Sequence, residues 1–372
     1  MAQITTLLSS TLALLSQFQE TLTPARAAEA QTQTTPQSAN AKPLTLLSTS
    51  SAALRAQVTK LSLLAITTPF TPSALTTVLR AVNDSVLPSL VTAALLITPA
   101  EFTRAFQAEI LVLARRALAE FAALVTVVKG VAEKSDAKND KDKREEMAKG
   151  EKDTVTVAAG RVWEACDSLS GVAGKGVVGF VVRRVEQWRD LVRDAVSEIE
   201  EWDPEDEDDF FDMIGEEKEE KDHDQDEDED EDEDDDDSDN DTAAQLEHKK
   251  STLRLLKIVA QFYPALIKYR LQGVEEFATA ADVGKVEILM SHLEPVSDLV
   301  DEAAGALYED DWERAVGFLS KIRNQAAMAA NLLERPWDAA TGAGDKYLVW
   351  EKTWLKVLVE IGEFLDEGEA WS

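Results

Sequence analysis

The sequence predicts an all-α protein, two antiparallel helical bundles joined by a disordered acidic segment. Three observations carry this. Apolar residues recur at three- and four-residue steps in most stretches long enough to show a period. No comparable run alternates with the period of two that a half-buried strand needs. One segment holds most of the charge. The chain has 372 residues, 44% of them hydrophobic and 29% charged, enough for about two domains with packed cores. Of the net charge of −33, Asp203 to Asp241 contribute −25 through 27 acidic and 2 basic residues. The expected organisation is an N-terminal bundle over 1–202 with a flexible charged loop at about 134–152, an acidic linker over 203–242, and a C-terminal bundle over 243–372.

Ile4, Leu7, Leu8, Leu15, Phe18 and Leu22 form the face of a first helix, followed by a Thr/Ala/Gln/Pro linker near 23–43. Leu47, Leu54, Val58, Leu61 and Ala65 mark a second. Thr71 and Pro72 read as an N-cap with proline at the first helical position, where the missing N–H costs nothing. Leu75 to Val86 continue that helix until Pro88 kinks or divides it. Thr98, Pro99 and Glu101 have the spacing of a capping box, and Phe102, Phe106, Ile110, Leu113, Leu118 and Val125 predict one long helix ending near Gly130. The stretch after it is almost free of apolar residues. Its lysines are interleaved with Asp and Glu, which favours a solvated linker over a nuclear-localisation patch.

Helices resume over Val155–Leu169 and Val177–Glu201, the latter with a stripe through Val181, Val185, Trp188, Val192, Ala195, Ile199 and Trp202. The C-terminal half predicts Leu253–Leu271 with Pro264, Val283–Leu307 with Pro295, Trp312–Leu333 capped by Asp310 and Asp311, and Tyr347–Leu365. In the last of these Trp350, Trp354, Val357, Leu358, Ile361 and Leu365 read as core. No heptad pattern is sustained long enough for a leucine zipper.

Residues 169–180, "LSGVAGKGVVGF", are the stretch that most resembles a chemical motif. A phosphate loop requires a preceding strand, G-x-x-x-x-G-K-[ST] spacing and a hydroxyl after the lysine. Here Gly171, Gly174 and Gly176 surround Lys175 with other spacing, Gly176 stands at the hydroxyl position, and a helix precedes. The glycines suit a helix end and reversal instead. Cys166, the sole cysteine, lies beside an apolar face and far in sequence from His223, His248 and His292, which favours a core thiol over a nucleophile. The acidic run lacks the glycine turn and spaced ligands of a calcium loop, and no His/Cys spacing fits zinc. No cofactor, metal site or catalysis is expected.

The acidic segment repels phosphate backbones and anionic membranes, so direct nucleic-acid or membrane binding is not expected. No 18-residue uncharged apolar run is found; "EILVLARRALAEFAALVTVV" comes nearest and contains Arg115 and Arg116. The N-terminus lacks the basic start of a signal peptide, and with a single cysteine the chain is expected to be intracellular. At the start of the acidic segment Trp202, Phe210, Phe211, Met213 and Ile214 stand among carboxylates. They read either as partner-docking residues steering toward a basic surface or as the finish of the preceding helix. Ser238, followed by Asp239 and Asp241, fits an acidophilic kinase.

The string "AAGRVWEACDSL…VVRRVEQWRDLVRDAVSEIEEW" resembles the signature of the cyclin-D-binding protein family, the cyclin-D-interacting, Id-like helix-loop-helix proteins. The resemblance runs through Val162, Trp163, Cys166, Leu191, Val192, Asp194, Ala195, Glu198, Ile199 and Glu200. These residues are expected to serve structure. The resemblance implies an all-helical adaptor of nucleus and cytoplasm, a negative regulator of cell-cycle progression or transcription that binds a cyclin or transcriptional regulator. The alternative reading is a chaperone whose polyanion binds histones or other basic proteins.

Overall fold

The computed structural model describes residues 2–33, 42–137, 147–203, 235–337 and 345–368. Among them no strand occurs, and the all-α class holds. The helices are α1 (Ala2–Thr21), α2 (Pro24–Gln33), α3 (Pro43–Ile66), α4 (Pro72–Ala81), α5 (Leu87–Leu95), α6 (Pro99–Phe102), α7 (Arg104–Ala137), α8 (Lys149–Glu201), α9 (Asp235–Leu266), α10 (Ala280–Tyr308), α11 (Trp312–Leu332) and α12 (Lys346–Gly368). π-turns at Val82–Val86 and Ile267–Leu271 follow α4 and α9. The chain divides into two compact units, Met1–Phe180 with Thr279–Glu287, and Val181–Ala278 with Ile288–Ser372. The expected bundle over 1–202 differs from this division, because the stripe from Val181 onward groups with the C-terminal helices.

In the first unit α1 packs on α4 and α7, and α3 on α4, α5 and α7. The core is built from the predicted stripes, with Leu8, Leu15, Leu54, Val58, Phe106 and Ile110 fully buried. Residues 24–33 of the expected linker are helical instead. Four alanines in "PARAAEAQTQ" favour helix, Pro24 fits its first position, and Ala27 is buried.

Pro88 does not end its helix. The preceding π-turn, in which the Leu87 amide reaches back to the Val82 carbonyl, widens the coil where the proline ring would otherwise press on the carbonyl four residues earlier. Thr98 makes no side-chain cap, and the expected single helix is broken after α6 at Thr103, with φ 72°. Thr103 turns out to be the cap of α7. Its hydroxyl accepts from the Phe106 amide at 3.2 Å, and the Glu287 carboxylate accepts from the Arg104 amide at 2.9 Å. That second bond ties residues 279–287 to this unit. α7 continues past Gly130 to Ala137 and α8 begins at Lys149, so both helices enter the expected loop. Lys134 and Glu151 pair at 2.6 Å across its ends, and residues 138–146 lie outside the described ones.

α8 is helical on both sides of one residue, Gly176, with φ 64° and ψ −167°. The predicted stop at Leu169 is thereby moved to Lys175, because Gly171 and Gly174 stay helical and only Gly176 takes a conformation essentially closed to residues with a side chain. Phe180, just past the break, packs edge-on against Phe106 at 5.5 Å.

In the second unit α9 packs on α11 and α12, and α11 on α12. α9 starts at Asp235, inside the expected linker, where aspartates at a helix start are favourable at the positive end of the macrodipole. Asp311 caps α11 as expected, accepting from the Arg314 amide at 3.0 Å. Arg270, 5% exposed, joins the turn after α9 to the end of α11 and the start of α12. Its Nε donates to the Leu333 carbonyl at 2.8 Å and its Nη atoms to Asp345 at 2.7 and 3.2 Å.

Two helical runs, Pro72–Leu95 and Lys149–Glu201, are long and apolar enough to cross a membrane by length and composition, although both carry charged residues and neither is the uncharged run whose absence was expected. Half of the apolar stretch in the first and 44% in the second is buried within the protein.

Replacing Gly176 by alanine is expected to lower unfolding free energy by about 1–3 kcal/mol, from the backbone conformation alone, since a Cβ there meets only Leu44 at 3.8 Å. Gly160→Ala, with open space beside a helical position, is expected to raise it by about 0.5–1 kcal/mol. Urea titration of both variants checks the pair.

Candidate protein-interaction surface

The signature residues of α8 separate by burial. Val162, Cys166 and Ile199 are buried, as are Val192 and Ala195, and Trp163 is half-buried. Their side chains pack inside the protein. Trp163 lies beneath the Arg55 guanidinium, 5.9 Å from the ring centroid, and Arg55 in turn pairs with Asp167 at 3.1 Å. Ser51 of α3 donates to the Cys166 carbonyl at 2.9 Å. Together these contacts lock the first half of α8 against α3.

Leu191, Asp194 and Glu198 face outward instead, with Leu191 54% exposed. Gln187, Leu191, Asp194, Glu198 and Glu201 succeed one another at alternating steps of four and three, so they form one exposed line along the last turns of α8. A leucine rimmed by carboxylates can accept an apolar side chain from a partner while its rim selects for basic neighbours. Residue types alone do not show this line, because charged and apolar signature positions look alike until the buried stripe is known.

At the end of α8 the Trp202 amide bonds to the Glu198 carbonyl at 2.9 Å and the indole packs on Tyr308 with centroids 5.0 Å apart. Trp202 therefore finishes its helix. Lys249 donates to the carbonyls of Glu200, at 3.1 Å, and Trp202, and Lys257 pairs with the Glu200 carboxylate. An ammonium on the last carbonyls both satisfies them and complements the negative end of the helix. Beside it His248 stacks on Trp312 at 4.1 Å and 6°, and burial lowers its pKa, which keeps the stacked ring neutral. Phe210, Phe211, Met213 and Ile214 lie outside the described residues, and Ser238 lies on the helical backbone of α9.

Trp354, Leu358, Ile361 and Leu365 are buried, and Trp350 stacks on Trp354 at 5.5 Å, so the C-terminal aromatic stripe packs as core. His292 bonds Gln325 at 2.7 Å. Among the described residues no group of three His, Cys, Asp or Glu side chains is placed to hold a metal ion. Helical backbone flanks Gly176 on both sides, so the glycines build no phosphate loop.

Burial pushes the Cys166 thiol up to about 11 against the combined pull of Ser51 and Arg55. Its thiolate fraction at neutral pH is therefore about 100-fold below that of an ordinary cysteine. Iodoacetamide at pH 7.5 is expected to leave the native protein unlabelled under conditions that label it fully in urea, as mass spectrometry reads.

No curated protein matches the chain. Residues 46–205 do match a family model, described as Grap2 and cyclin-D-interacting, N-terminal. The stretch from α3 to the end of α8 is thus similar to the N-terminal part of the cyclin-D-interacting proteins, the family that the Val162, Trp163 and Cys166 signature resembles.

Proposed function

We propose that this protein is a non-enzymatic interaction adaptor that holds a cyclin or transcriptional regulator and restrains cell-cycle progression or transcription, acting in nucleus and cytoplasm. The observation that supports it is the coincidence of the family match over 46–205 with the exposed line Gln187, Leu191, Asp194, Glu198 and Glu201. Structural demand accounts for the inward residues of α8. It does not account for an exposed leucine among carboxylates, which suits a partner surface that is basic around an apolar anchor. The burial of Cys166, which raises its thiol pKa, further supports a role without nucleophilic catalysis.

A second reading is favoured by the −25 charge between Asp203 and Asp241. In it the polyanion itself captures a basic protein such as a histone, and the helical units carry it.

Full-length protein with Leu191→Arg, Asp194→Lys and Glu198→Lys is expected to lose at least about tenfold in affinity for a D-type cyclin, with its melting temperature changed by no more than about 2 °C. Unchanged binding would exclude this face. Replacing 204–234 by a neutral Gly/Ser linker of equal length leaves the α8 end and α9 whole. It is expected to slow association and flatten its salt dependence while leaving dissociation unchanged. Loss of nearly all binding to histones by the same variant, with cyclin binding absent throughout, would establish the second reading instead.

A further inference from the structure

α12 carries a carboxyl group where its core seam calls for an apolar side chain. Tyr347, Glu351, Trp354, Leu358, Ile361 and Leu365 follow at alternating steps of four and three, and all are buried. Glu351 is 3% exposed, and its Oε1 atom is buried with no hydrogen-bond partner. A neutral acid tolerates such a place far better than a carboxylate does.

The cation beside it is already committed. Arg270 donates to the Leu333 carbonyl at 2.8 Å, to both oxygens of Asp345, and more loosely to the carbonyls of Glu334 at 3.4 Å and Tyr269 at 3.5 Å. Its guanidinium lies 4.1 Å over the Tyr347 ring. The hydrogen bond from Arg270 holds the Asp345 carboxyl below the usual carboxylate range, so Asp345 stays ionised and offsets the arginine charge. The charged groups acting on Glu351 are then Glu334 after α11, Arg270 after α9, Asp345 ahead of α12, and Lys352 on α12 itself. Two carboxylates face it against one neutralised guanidinium and one exposed ammonium.

We propose that Glu351 is a proton-operated latch for α12: with its carboxyl protonated the helix seats on α9 and α11, and release of that proton to solvent loosens it. Burial first, and then Glu334 and Asp345, push its pKa from 4.5 up to about 7. An acid raised in the seated state favours seating fully below 4.5 and loses that contribution as pH climbs through about 7. With the ordinary value in the loosened state, the opening equilibrium rises about 25-fold between pH 5.5 and pH 8.

Hydrogen exchange on the full chain, corrected for intrinsic rates, reads this over residues 346–362. The native protein is expected to lose about 25-fold in protection between those pH values, and Glu351→Gln to show no such loss and higher protection at pH 8. An identical pH profile in the two proteins overturns the latch. Should Glu351→Gln fail to fold, the carboxyl carbon resonance of Glu351 in the native protein decides. Titration near 7 supports the latch, and titration near 4.5 overturns it.

Discussion

A protein built from helices depends on what is done with the ends of its helices, because each leaves up to four amides or four carbonyls unpaired. Here some of the ends are closed by neighbouring side chains and some by side chains drawn from elsewhere in the sequence. Thr103 and Glu287 serve the start of α7, Lys249 the end of α8, and Arg270 the carbonyls at the end of α11. Thr279 and Asp282 close the start of α10 reciprocally, with amide bonds of 3.1 Å in both directions. The closures by Glu287, Lys249 and Arg270 also fix the position of a second segment, so there satisfying the backbone and assembling each unit are the same event.

That dependence explains what could be read from the residues alone. The stripe from Val181 to Ile199, the buried Cys166 and the Asp311 cap were legible because each is decided within a few residues of chain. The position of the break in α8 was legible only to within several residues, since Gly171, Gly174 and Gly176 are equally permissive and packing selects the last. Thr103 was not legible as a cap, because Thr98 ahead of proline has the better local pattern and the competing bond comes from Glu287, 183 residues away. The Thr279–Asp282 box is present in the sequence as "TAAD", but the apolar period begins only at Val283. Arg270 gives no local signal at all, as its partners sit 63 and 75 residues further on.

The surface was harder to read than the core for a related reason. Leu191 looks like one more apolar residue in a helix until the inward stripe is fixed by Val192, Ala195 and Ile199. Only then does its outward line with Asp194 and Glu198 stand apart. Trp202 presents the converse case. An aromatic at the edge of an acidic segment suggests a free docking residue, yet Tyr308 covers its ring and Lys249 holds its carbonyl. Chemistry read from residue types was therefore uninformative about which atoms are spoken for.

The near-parallel indoles of Trp350 and Trp354, 5.5 Å apart at 22°, carry a consequence of a different kind. Two identical chromophores so close couple their electronic transitions, and the angle between the two transition dipoles sets how strong a circular-dichroism couplet the pair gives. With Phe262 and Tyr347 packed around them, the C-terminal helix contains its own optical gauge, visible without any label.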